Sequence, residues 1–183
     1  IRRPPRSTQG VSSAASDVYK RQGLADASEK TTAFHTAAHL MLAGLREILG
    51  DHVHQKGSNI TAERIRFDFN HDTKMTDEQK RFVEDYVNNG ILARAEVTVF
   101  EMKKDEAYSE GVEGSFWEKY PDIVKVYLMK DQAGKVWSKE LCGGPHVKNC
   151  SFLSRYGTFK INKEQSSSAG VRRVKAVFME KVE

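Results

Sequence analysis

Cysteine is almost absent from this chain: Cys142 and Cys150 are the only two among 183 residues. A small secreted scaffold held together by disulfides is thereby excluded. Long apolar runs are missing as well, and no stretch approaches the roughly 18 consecutive apolar residues that span a bilayer as a helix. Nothing at the N-terminus joins a basic segment to a long apolar one, as a secretory leader would. No internal repeat is seen. These absences lead us to expect a soluble protein in a reducing cytoplasm, with no membrane partner. At 39% hydrophobic residues the chain can still bury a core, and its length suits one domain.

Excess charge is the next thing the body of the chain lacks. The formal net charge is +4, which on its face advertises a polyanionic partner. Residues 1–22 hold five basic groups (Arg2, Arg3, Arg6, Lys20, Arg21) against a single acid, Asp17. That stretch carries the whole excess, and residues 23–183 balance 24 basic against 24 acidic side chains. Contact with a nucleic acid must therefore come from a local patch or a neighbouring domain. The first 22 residues show no apolar periodicity, and Pro4-Pro5 with small polar residues reads as a disordered tail. Their pieces also resemble translated sequencing-adapter DNA: GAT-GTG-TAT-AAG-AGA-CAG encodes Asp17 to Gln22, and TCG-TCG-GCA-GCG-TCA encodes Ser12 to Ser16. We expect 1–22 to be an adapter-derived artefact and 23–183 to be one domain of a longer protein.

What is present from Gly23 onward is a mixture of helical and strand periods. Ala33, Phe34, Ala37, Ala38, Met41, Leu42, Leu45 and Ile48 recur at spacings of three and four between Ser28 and Leu49, with Gly50 as a stop, and predict an amphipathic helix. Arg64 to Phe69 alternates and predicts a half-buried strand, with Arg66 and Asp68 on one face as a structural pair. A second helix follows Thr76-Asp77-Glu78-Gln79, with Asn89-Gly90 a weak break inside it. Strands are expected at Val97–Met102, Val124–Lys130, Lys135–Leu141, Phe159–Ile161 and Val171–Met179, and a short helix at Lys104–Glu110. Several hairpins among interspersed helices favour an α+β domain with an antiparallel sheet packed with helices.

Two segments carry chemistry. His35 and His39 lie four apart, one turn of the same helix face, a spacing that can grip one metal ion. Cys142-Gly143-Gly144-Pro145-His146 offers a thiolate and an imidazole from a glycine turn directly after a strand. Three imidazoles and a thiolate form a zinc-compatible set of soft and borderline ligands suited to a tetrahedral ion. The same residues also read as a structural histidine pair and a core thiol beside a turn. Four protein ligands normally close a structural site, whereas a catalytic zinc keeps a position open, and spacing does not choose between them.

The motifs HTAAH (His35 to His39), QKGS (Gln55 to Ser58), RIRFDFNH (Arg64 to His71), ELCGGPHV (Glu140 to Val147) and SAGVRRVKAV (Ser168 to Val177), in this order, resemble the editing domain of alanyl-tRNA synthetases and of free-standing alanyl-tRNA editing proteins. The resemblance runs over nearly all of residues 23–179. It implies the threonyl/alanyl-tRNA synthetase editing-domain fold and a deacylase that hydrolyses Ser-tRNA and Gly-tRNA wrongly made with alanine's tRNA. A pocket built for alanine cannot strongly exclude glycine, so a second sieve supplies the discrimination. His35, His39, Cys142 and His146 match the family's Zn2+ ligands, the ion either activating water or polarising the ester. Gln55 matches a pocket position, so Gln55 and Cys142 are the catalytic candidates. Lys56, Arg172 and Arg173 are candidate contacts to the tRNA acceptor end. His52, His54 and His71 fall outside the ligand set and are taken as surface or packing residues. Where alanyl-type domains usually read CGGTHV this chain has Pro145, a feature similar to the threonyl type. Lys148 to Tyr156 is longer than the usual turn, with Cys150 in it as a spectator thiol. The reading is thus the C-terminal fragment of a ligase whose aminoacylation domains lie upstream. Its alternatives are a free-standing editor, a threonyl-type domain, and a zinc-stabilised tRNA-binding module without turnover.

Overall fold

The three-and-four spacing after Ser28 folds as α1 (Glu29–Leu49) in the computed structural model, which describes residues 23–181. Ser28 caps the helix, its Oγ accepting the Thr31 N–H at 3.2 Å. Gly50 ends it at φ 122°, a left-handed conformation that favours glycine, and donates its N–H to the Arg46 carbonyl. Between Thr31 and Leu45 the helix is not amphipathic in use, because it is covered on nearly every side. Apolar Phe34, Leu40, Met41 and Leu45 are buried, and so are the polar Thr31, His35, Thr36 and His39. A helix so enclosed must find internal partners for its polar side chains, and α1 therefore organises the site.

The second helix, α2 (Asp77–Leu92), begins with a full capping box: Gln79 N–H donates to Thr76 Oγ1 at 3.1 Å and Thr76 N–H to Gln79 Oε1 at 2.9 Å. Asn89-Gly90 does not break it. Gly90 serves close packing instead, since a Cβ there would lie 3.2 Å from a Leu40 methyl and 3.3 Å from the Trp137 ring.

Four strands, β1 (Gln55–Ile60), β2 (Ile65–Asn70), β6 (Thr158–Ser168) and β7 (Val171–Met179), form an antiparallel sheet in the order β1-β2-β7-β6. A smaller antiparallel sheet joins β3 (Glu96–Lys103), β4 (Ile123–Lys130) and β5 (Val136–Leu141) in sequence order. A short helix, α3 (Lys104–Ser109), follows β3. Helices with antiparallel sheets give the expected α+β class. Two strands differ from the sequence expectation. Strand β1 has only Ile60 as an apolar strand residue and is held by its pairing to β2, while β6 runs seven residues past Ile161 because its polar half pairs along β7. Neither is marked by apolar alternation, so period counting misses both.

Strand β2 shows the alternation cleanly: Ile65, Phe67 and Phe69 are buried in the main core with α1, and Arg66, Asp68 and Asn70 face outward. Asp68 does not pair with Arg66. Its carboxylate takes a two-pronged hydrogen bond from Arg173, directly across the ladder on β7, at 2.8 and 2.9 Å. Cross-strand neighbours stand closer than residues two apart on one strand, which is why Arg173 captures it. Cys150 opens a 3-10 turn (Cys150–Tyr156) and lies fully buried with its sulfur 3.9 Å from Met129 Sδ. Burial pushes its thiol up to about 12, so it is an inert core residue.

Candidate metal centre

The site forms where α1 meets the bend after β5. Strand β5 ends at Leu141, and the bend Cys142-Gly143-Gly144-Pro145-His146 folds back against the helix, with Gly144 N–H donating to Cys142 Sγ at 3.4 Å. The ligand atoms of His35, His39, Cys142 and His146 all lie within 4.8 Å of one another. His35 Nε2 is 3.6 Å from Cys142 Sγ, and the His35 and His146 rings stack with centroids 4.3 Å apart. All four expected ligands therefore converge, from positions over a hundred residues apart.

The partners of the other ring nitrogens fix how the imidazoles face. His35 Nδ1–H donates to the Pro145 carbonyl at 2.9 Å. His39 Nδ1 lies 2.8 Å from a Glu140 carboxylate oxygen. His146 Nδ1 lies 3.0 Å from Thr36 Oγ1. That hydroxyl donates its one proton to the Thr32 carbonyl and accepts Val147 N–H at 3.2 Å, so its remaining lone pair accepts the His146 Nδ1 proton. His35 and His146 thus carry their proton on Nδ1 and keep Nε2 for the centre, the tautomer a metal-binding histidine needs, and the negative Glu140 oxygen beside His39 Nδ1 favours a proton there too. His146 Nε2 is buried with no hydrogen-bond partner among the described residues. An orphaned acceptor in a ring of three other donors fits a bound cation and is costly without one.

The electrostatics agree. Burial alone would raise the Cys142 thiol, but His39 and His35 beside it outweigh that and bring it down to about 6. Burial alone would lower His39, but the charges of Glu140 and Cys142 outweigh it and push the imidazole up to about 10. His146 is held well below the ordinary range by burial and by the two neighbouring imidazoles. The group is a thiolate compensated by one proton, and a metal ion can take that proton's place.

Beside the cluster lies a cavity of about 150 Å³ bordered by His35, His39 and Cys142, but not by His146, which sits behind them. Gln55 and Ser58 of β1 also line it, with Gln55 Nε2–H donating to Ser58 Oγ at 3.0 Å. Gly114, Ser115, Phe116 and Tyr120 from the segment before β4 line the cavity as well. Lys56 is exposed at the bulge of β1 next to Gln55. Arg172 and Arg173 lie outside the cavity lining and are held by carboxylates, Arg172 Nε–H donating to Glu164 at 2.6 Å. His54 packs as an anchor, joining Arg46 at Glu113 with contacts of 2.8 Å each, and so fastens the chain just before Gly114. His52 and His71 pair with each other at 3.1 Å on the surface.

Sequence reasoning missed the supporting residues Thr36, Glu140 and Glu113. Glu140 had a legible signal: it is a carboxylate near the end of a strand, two residues before Cys142. Thr36 was visible only as a polar residue inside an apolar helix.

The fold and the cluster define an α+β domain with a site able to hold a metal ion between three imidazoles and a thiolate, beside a small cavity. Residues 124–175, which include Cys142 and His146, match the threonyl and alanyl tRNA synthetase second additional domain. The chain is 53% identical over 169 residues to an alanine–tRNA ligase of Treponema denticola, covering 92% of this chain and 27% of the relative. It is 50% identical over 172 residues to that of Borrelia hermsii, covering 94% and 28%, and 45% identical over 143 residues to that of a Thermoanaerobacter species, covering 78% and 15%. The chain is therefore related to alanyl-tRNA synthetases, and its residues 124–175 resemble their second additional domain. It spans about a quarter of the length of the first two ligases. No helix among the described residues is long and apolar enough to cross a membrane.

Proposed function

We propose that this domain hydrolyses mischarged alanine tRNA, removing serine or glycine, as part of an alanine–tRNA ligase. The observation that carries the reading is the cavity beside the four converging ligands: three of them border it, so an ion held there has an approachable side. The donor set suits Zn2+, held by His35, His39, Cys142 and His146. When bound, such an ion supplies Lewis-acid polarisation or a water ionised near neutral pH. The chain's own residues do the rest. Glu140, Thr36 and the Pro145 carbonyl keep the imidazoles in register. Gln55, in the cavity lining, presents an amide that can orient the amino acid or its ester. Water adds across the ester bond, releasing the amino acid and intact tRNA. A cavity of this size takes a small side chain, as a sieve for serine and glycine requires.

Residue 145 enters the site through its backbone carbonyl, so proline there leaves the contact to His35 intact and does not weigh against the alanyl reading. The proposed partners are the tRNA acceptor end, with Lys56, Arg172 and Arg173 as candidate contacts, and further ligase domains; the proposed location is the cytoplasm. The test is deacylation of Ser-, Gly- and Ala-tRNA(Ala) side by side by the Zn2+-loaded chain and its Cys142→Ala variant. Release of serine and glycine but little alanine, lost in the variant, is the expected result. Zinc-dependent stability without any hydrolysis would instead identify a non-catalytic tRNA-binding module.

A further inference from the structure

The outward face of the four-stranded sheet carries a row of cations in register. Arg66 on β2 is the direct cross-strand partner of Lys175 on β7, and Lys175 is in turn the partner of Lys163 on β6. The buried alternation of β2 and the burial of Glu164 and Val174 place all three on the side away from α1. Like charges directly opposite one another destabilise a sheet. Strands stand about 4.8 Å apart, so the row packs three positive groups into roughly 10 Å. Lys163 and Lys175 are exposed, and no ion pair or hydrogen bond engages either side chain among the described residues. The neighbouring acid, Asp68, is already consumed by Arg173. Arg66 adds an independent sign: its Nε is buried and has no hydrogen-bond partner among the described residues.

The row is not diluted by the protein's overall neutrality, because charge is segregated along the fold. Residues 158–177, which build β6 and β7, hold five basic side chains and one acid, whereas residues 96–122, around β3 and α3, hold eight acids and three lysines. The strands of the four-stranded sheet carry seven basic and two acidic side chains, those of the three-stranded sheet four and three, so the field favours the four-stranded sheet for a polyanion.

We propose that this outer sheet face binds the phosphate backbone of a nucleic acid through Arg66, Lys175 and Lys163. A duplex presents a negative charge about every 1.7 Å of its axis, dense enough to compensate a row that no single carboxylate can. Exposed Lys56, on the β1 bulge at the edge of the same sheet, stands between this face and the cavity wall formed by Gln55 and Ser58, so a strand leaving the duplex has a cationic step on its way round the edge. That the nucleic acid is tRNA rests on the function proposed above; the surface itself does not.

Fluorescence anisotropy with uncharged tRNA(Ala) over a KCl series tests the proposal, comparing the chain with Lys163→Ala/Lys175→Ala and with the control pair Lys103→Ala/Lys130→Ala, which removes the same charge from the other sheet. The first pair lowers the slope of log K against log salt by about 1.5 and weakens binding by roughly tenfold or more at 0.1 M salt; the control pair does neither. Equal loss in both pairs, or none in the first, overturns the proposal, as does absence of tRNA binding by the unaltered chain. Hydrolysis of seryl-adenosine ester, which lacks a backbone, proceeds equally in the unaltered chain and the first pair. If neither hydrolyses it, the deacylase reading fails while the salt series still decides the surface.

Discussion

Replacing Thr36 by valine probes the site without touching a metal ligand. The hydroxyl holds three groups at once: it donates to the Thr32 carbonyl, accepts Val147 N–H, and takes the Nδ1 proton of His146. Valine fills nearly the same volume but offers none of these. The Val147 N–H is left buried without an acceptor, which costs about 1–3 kcal/mol of stability in the metal-free protein. His146 loses the group that fixes its tautomer, and the loss of such a supporting partner typically weakens metal binding 10–100-fold, about 1.4–2.7 kcal/mol. Thr36→Ser keeps the hydroxyl and should bind within a few-fold of the unaltered chain. Zn2+ affinity is measured by competition with a chromophoric chelator, and metal-free stability by urea unfolding. If valine, serine and threonine at position 36 give the same affinity, the argument that this hydroxyl sets the face of His146 is wrong.

The two thiols should separate in labelling experiments. At pH 7.5, in metal-free folded protein, Cys142 is pulled down to about 6 and modified by iodoacetamide, Zn2+ protects it, and Cys150 reacts only after unfolding; labelling of Cys150 in the folded state would contradict its placement in the core. Because burial raises Cys150 in the folded state to about 12 from an ordinary 9, its neutral form contributes stability below pH 9 that is lost as pH rises from 9 through 12. Unfolding midpoints of Cys150→Ala followed across that window should therefore fall less steeply than those of the parent. Gly157→Ala should destabilise by at least about 2 kcal/mol, since φ is 104° and a Cβ would press into the Met179 backbone carbonyl; a thermal midpoint within a degree of the parent would show that the turn relaxes freely.

The sequence by itself determined most of the local architecture, because helix and strand periods, caps and turn residues act over a few neighbours. The capping box at Thr76 and Gln79, the alternation of β2 and the helix ending at Gly50 are all written in consecutive residues. It also supplied the four candidate ligands, since His35 and His39 declare themselves by a one-turn spacing and Cys142 and His146 by their glycine bend. Tertiary structure decided what no local pattern holds. Strand β1 and the polar half of β6 exist because neighbours pair with them. Asp68 chose Arg173 over Arg66 because the ladder places it nearer. The tautomers of three histidines follow from Thr36, Glu140 and a carbonyl brought in from other segments, since a proton settles where an acceptor lies in space.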